Sequence, residues 1–178
     1  GLYYPLGLGP HGLVSEALLL HMKSPAIHGA LNMIYRYGIT EDEAYAQKVY
    51  PYLRGVADFW EKDLVCRDGV YHVVGDGMHE RTDGNIRDNG VPENPVNTLG
   101  YLKTFFTWMP RISEALDLDE KKREKWLEIA ENLAPYPKGT IREIQENPTL
   151  WKEVDVKLED LLPEEMLDKE IYYDEGVG

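Results

Sequence analysis

Hydrophobic positions fall at helical spacing in four stretches of the chain. Ile27, Leu31 and Ile34 form the stripe of a first helix that starts at Ser24, a hydroxyl N-cap, with Pro25 in its first turn. The sequence predicts that this helix stops at Gly38. A second helix opens on Thr40-Glu41-Asp42-Glu43, a capping box, and buries Leu53, Val56, Ala57 and Trp60, with Pro51 expected to kink or break it. Two helices separated by Gly38 and Ile39 alone are expected to be antiparallel neighbours. The third stripe, Leu99, Leu102, Phe105, Phe106 and Ile112, belongs to a helix from about Val96 towards Leu116, with a second kink at Pro110. The fourth, Trp126, Ile129, Ala130 and Leu133, starts near Asp119 and ends before Pro135.

Between the two helix pairs the period changes. Leu64-Val65-Cys66 and Val70 to Val74 flank Arg67-Asp68-Gly69, the signal of a small β-ribbon. From Gly75 to Pro95 no period holds and the residues are Asp, Asn, Gly, Glu and Arg, as in a long functional loop, although such residues also serve turns. Gly1 to Gly12 reads as an ordered loop, and Leu13 to Met22 as an apolar run, helical or extended. Beyond Pro137 the pattern allows a short strand at Thr140 to Ile144 and acidic helical pieces at Asn147 to Val154 and Glu159 to Asp168. The fold expected is mainly α: helical hairpins with a ribbon insertion. Two hairpins leave amphipathic stripes that call for further helices.

Composition narrows the function. At 178 residues, 43% hydrophobic and 29% charged, the chain has globular composition with no membrane-spanning stretch. Its net charge of -13 excludes a phosphate-backbone partner, so no nucleic acid is expected. Cys66 has no second cysteine to pair with, and the opening residues show no basic or apolar region of a signal peptide, so the sequence assigns no compartment. The chain starts without Met and reads as part of something longer. Four Trp, twelve Tyr and three Phe supply rings that suit sugars as well as core packing, and Trp60, Trp108 and Trp126 sit at core spacing.

The chemistry concentrates in Gly75 to Pro95, where carboxylates, amides and guanidinium groups are of the kind that pair with sugar hydroxyls. A carboxyl group near an aromatic ring can keep its proton and act as an acid. Other readings fail on spacing. A calcium loop through Asp83 and Asn85 meets Arg87 at a ligand position, Asp88 at the turn glycine and Asn94 where a bidentate Glu belongs. His72 and His79 lack zinc spacing, so no metal and no cofactor is expected. Ser15 lies in no nucleophile elbow, and the glycines of Gly7 to Gly12 match no nucleotide motif. His11 and His28 read as structural.

The order of features carries a resemblance: Gly1-Leu2-Tyr3-Tyr4-Pro5, His28-Gly29-Ala30 with Tyr35, Gly38 to Asp42, Tyr50-Pro51-Tyr52-Leu53, then Asp58-Phe59-Trp60 and a ribbon exit at His72 to Glu80. This resembles the six-hairpin glycosidases, the toroid superfamily that includes maltose-type phosphorylases and inverting α-L-fucosidases. The resemblance covers about Gly1 to Pro135, departing at Leu6, where a tryptophan often stands, and in the loop from Gly75 to Glu80. It implies part of an (α/α)6 toroid over residues 1–135, with 136–178 an acidic extension of the same domain.

It further implies a glycoside hydrolase acting with inversion, with Glu80 as general acid, Glu93 a rival acid and Asp76 a weaker one. His79, Arg81, Asp76 and Asn94 are then expected to bind an oligosaccharide or glycoside. The base, roughly 6.5–9.5 Å from the acid in inverting enzymes, is expected later in the toroid, supplied by the rest of the polypeptide or a second subunit. For a phosphorylase, Arg81 and Arg87 would have to serve phosphate. The alternatives are a non-catalytic carbohydrate-binding or helical scaffold protein, and an all-helical interaction domain whose acidic face recruits a basic partner.

Overall fold

The computed structural model describes residues 22–76, 93–146 and 160–172. The opening loop Gly1 to Gly12, the apolar run Leu13 to Met22 except for Met22 itself, and the helical piece expected at Asn147 to Val154 lie outside them. Helix α1 (Pro25–Thr40) carries proline in its first turn, but the Ser24 side chain does not cap it. Gly38 does not stop the helix. A Cβ there would sit 2.8 Å from the Trp108 ring, so the glycine marks a close approach. The helix ends at Glu41, left-handed at φ 51°, whose N–H reaches the Tyr37 carbonyl. The helix runs two residues past Gly38, the Thr40 hydroxyl donates to the Arg36 carbonyl, and the N-cap of the next helix falls to Asp42, accepting from the Tyr45 N–H at 3.0 Å. The expected Thr40–Glu43 capping box is thus replaced by a simple N-cap two residues on.

Helix α2 (Glu43–Asp63) continues through Pro51, where a kink or break was expected. Strands β1 (Val65–Arg67) and β2 (Val70–His72) pair antiparallel, Cys66 opposite Tyr71. Asp68 and Gly69 both have positive φ, 51° and 83°, as a two-residue turn matched to strand twist requires. Helix α3 (Val96–Ala115) continues through Pro110. A 3₁₀ turn (Glu120–Lys122) leads into α4 (Arg123–Glu131).

Helix α1 packs on α2 and on α3, and α3 packs on α4. Ile27, Ile34, Leu53, Trp60, Leu102, Phe105, Phe106, Trp126 and Ile129 are completely buried in one core. Trp108, expected in that core, is half-buried and covers Gly38. The outer ends meet through polar contacts. The Trp126 indole N–H donates to Glu61 at 2.7 Å, and Tyr50 OH donates to Asp119 at 2.9 Å. Burial first, then that bond to Asp119, push the Tyr50 phenol up to about 12, so it stays a donor at ordinary pH. The two helical hairpins therefore lie side by side.

The chain leaving α4 runs along the ribbon: Tyr71 N–H donates to the Asn132 carbonyl at 2.8 Å, and Ala134 N–H to the Tyr71 carbonyl at 2.9 Å. Strand β3 (Lys138–Thr140) then pairs antiparallel with β4 (Glu170–Tyr172). The strand expected at Thr140 to Ile144 is instead helix α5 (Ile141–Glu146). Thr140 and Glu143 make a reciprocal capping box there, with N–H to side-chain bonds of 3.1 and 2.7 Å. Of the piece expected at Glu159 to Asp168, α6 (Glu164–Leu167) is helical.

Candidate functional site

The polar stretch between ribbon and α3 is described at its two ends. Glu80, His79 and Arg81 lie outside the described residues; Asp76, Glu93 and Asn94 lie within them.

Asp76 closes the ribbon exit and is completely buried. Its Oδ1 accepts the Lys23 N–H at 2.6 Å and its Oδ2 the Thr98 hydroxyl at 2.6 Å. The Ser24 N–H adds a third donor. Thr98 sits in the first turn of α3, and Lys23 and Ser24 precede α1, so one carboxylate joins the ribbon exit to the starts of two helices. The Lys23 ammonium bonds both oxygens of Asp63, at 3.0 and 2.9 Å, and the Val74 carbonyl at 2.8 Å, tying in the end of α2. Burial raises the Asp76 pKa from its ordinary value, against the opposing pull of those three donors and the Lys23 charge. Its oxygens serve the chain itself and offer nothing to a substrate hydroxyl.

Glu93 and Asn94 hold the other end. Glu93 bridges Val74 antiparallel. Its carboxylate takes two bonds from the Arg67 guanidinium, each 3.0 Å, and that pairing lowers its pKa. A general acid must hold a proton, and this pair keeps Glu93 ionised. Asn94, left-handed at φ 55°, donates its N–H to the Val73 carbonyl at 2.8 Å and accepts the Val73 N–H on Oδ1 at 3.0 Å. That acceptor role fixes the amide, so Nδ2 faces His72 Nδ1 at 3.1 Å. Nδ1 is then an acceptor, and the imidazole carries its proton on Nε2.

Residues 73–74 and 93–94 thus bring the two ends of the stretch together beside the ribbon. Next to them lies an open groove of about 840 Å³, lined by His72, Glu93 and Asn94 on one side and by Ala134 to Lys138 with Tyr172 on the other. The sequence reading did not single out Lys23, Asp63, Thr98, Tyr136 or Tyr172. The Pro135-Tyr136-Pro137 run, which fixes the backbone on both sides of a ring, is the signal that was open to reading. His28, read as structural, is exposed and stacks on Tyr101, 5.3 Å between ring centres; His11 lies outside the described residues.

Among the described residues no three His, Cys, Asp or Glu side chains group to hold a metal ion, and no helix is long and apolar enough to cross a membrane. No protein-family model and no curated protein matches the chain.

Proposed function

We propose that the chain is a sector of a toroidal carbohydrate-active enzyme that cleaves a glycosidic bond with inversion, Glu80 giving the proton to the leaving oxygen. One observation carries this reading. A helical hairpin is followed by a ribbon whose exit is pinned at both ends, and then by a second hairpin packed on the first, with α1 beside α3 and α2 meeting the start of α4. Side-by-side hairpins of this kind are the repeating unit of an (α/α)6 toroid. The pairing of Glu93 with Arg67 favours Glu80 over Glu93 as the acid. His79, Arg81 and Asn94 would line the sugar, while the burial of Asp76 gives it a bracing part instead. The base and the remaining hairpins would come from the rest of the polypeptide or a second subunit.

The test is turnover of oligosaccharides and aryl glycosides by the protein that carries this chain, wild type against Glu80→Gln. The expected loss in kcat is about 10²-fold or more, the usual worth of a positioned acid, with KM little changed. Undiminished turnover would remove Glu80 from the mechanism.

A second reading has its own support: both described carboxylates that flank the 77–92 segment are engaged by the chain itself, as they would be in a binding or scaffold protein. Saturable sugar binding without product would favour it.

A further inference from the structure

The groove between the ribbon and the β3–β4 hairpin presents a chemistry that none of the residues assigned to catalysis requires. Two tyrosine rings stand in its wall, Tyr136 and Tyr172, 40% and 61% exposed, perpendicular to one another with centres 6.0 Å apart. Tyr136 is held between two prolines whose fixed φ stiffens the backbone around it, and the preceding residues are bonded to β2, so the ring is presented at small cost in chain entropy.

The polar groups of the wall are neutral in sum. The Glu93 carboxylate is matched by Arg67, and the Lys138 ammonium lies 2.9 Å from Glu170, besides sitting over the Tyr172 ring at 5.0 Å. An anion would have to displace Glu170, and a cation would have to displace Arg67. His72, its Nδ1 turned to the Asn94 amide, adds an N–H at Nε2. Rings with polar edges, one imidazole N–H and two compensated charges suit a ligand that is uncharged, carries hydroxyls, and has an apolar face to lay on a ring. The volume of about 840 Å³ falls in the range of small-molecule sites, ~300–1,000 Å³.

We propose that this groove binds a neutral saccharide, with Tyr136 and Tyr172 as stacking platforms and His72 and Lys138 as hydroxyl partners. The choice of a saccharide among neutral polyhydroxy ligands rests on the function proposed above; the neutral, ring-lined wall does not. It is assigned a part in binding and none in proton transfer.

Calorimetric titration of the protein that carries this chain with maltotriose, cellotriose and methyl α-L-fucopyranoside, and with inorganic phosphate as the charged probe, tests it. Saturable binding of at least one sugar, insensitive to salt, is expected, weakened about fivefold or more by Tyr136→Ala and again by Tyr172→Ala, the order of one ring contact each. Tyr172 is too exposed for its truncation to unfold the chain, so it keeps the test valid should Tyr136→Ala prove unstable by circular dichroism. Binding of no sugar, sugar binding indifferent to both rings, or phosphate bound more tightly than any sugar would overturn the proposal. Turnover is followed separately. Ring-dependent binding without product leaves the groove standing and the glycosidase reading fallen; product with ring-independent binding does the reverse.

Discussion

Two carboxylates bound the 77–92 segment, and they hold their ends by opposite means. Asp76 is sealed from water and receives uncharged donors, two backbone N–H groups and a hydroxyl. Glu93 lies at the surface and receives a guanidinium. Burial penalises charge and pushes one group's pKa up; pairing rewards charge and pulls the other's down. The difference teaches where rigidity comes from. A buried acceptor that satisfies three donors leaves all three orphaned if it is removed, whereas an exposed ion pair exchanges its partner for water. The upstream end should therefore be the anchor and the downstream end the adjustable one.

The largest expected effect follows from that asymmetry. Asp76→Ala strands the Lys23 and Ser24 N–H groups and the Thr98 hydroxyl, each costing about 1–3 kcal/mol when buried without a partner. A loss of about 3 kcal/mol or more is expected in urea unfolding, with the ribbon, α1 and α3 loosened together. Asp76→Asn keeps one acceptor oxygen and should lose less. An Asp76→Ala protein as stable as wild type would mean that water reaches this end, and the comparison would fail.

That anchor was out of reach of sequence reading, for a physical reason. The partners of Asp76 lie 53 and 22 residues away in the chain, and no local period reports a contact of that span. The helical stripes were legible because burial and the 3.6-residue period agree: Ile27, Ile34, Leu53, Trp60, Leu102, Phe106 and Ile129 are all completely buried. The Asp68-Gly69 turn was legible because both residues tolerate positive φ. Helix ends were not. Gly38 can signal a stop or a close approach, and Trp108 decided for the second. Thr40 and Asp42 are both capable caps, and the Thr40 hydroxyl turned back to Arg36. At Thr140, Ile141 and Ile144 the β-branched residues suggested a strand while the Thr140–Glu143 box started a helix. Of the candidate site, the aperiodic stretch itself was visible, but the bracing parts of Asp76 and Asn94 were not, because polar residues in turns look alike whether they face a ligand or the chain.

A smaller effect sharpens the comparison from the side of the donors. Thr98→Val keeps the shape of the side chain and removes one of the three donors to Asp76. The carboxylate retains the two N–H groups, so a loss of about 1 kcal/mol is expected, the net worth of one hydrogen bond. Because an ionised carboxylate then has fewer donors, the Asp76 pKa should rise further, readable as a shift of its carbonyl carbon resonance on titration. An unchanged titration would show that the Thr98 bond does not bear on the charge of Asp76.

The smallest effect is at the other end, and its sign with pH is the clearest way to break the comparison. Glu93→Gln removes one side of an exposed pair, and the resulting drop in Tm should be smaller than that of Thr98→Val and shrink further in high salt. A folded pKa below the unfolded one means that the ionised form is favoured in the folded chain, so the Glu93 contribution is present above the unfolded value and is lost as pH falls through the depressed one. For Asp76 the sign reverses. Its folded pKa lies above the unfolded one, so folding is favoured most while the group is protonated, and stability declines as pH rises from the unfolded value through the raised one. In Tm profiles across the acid range, Glu93→Gln should flatten a rising limb and Asp76→Asn a falling one. Limbs of the same sign would mean that both ends are held by charge, and the upstream end would lose its claim to be the anchor.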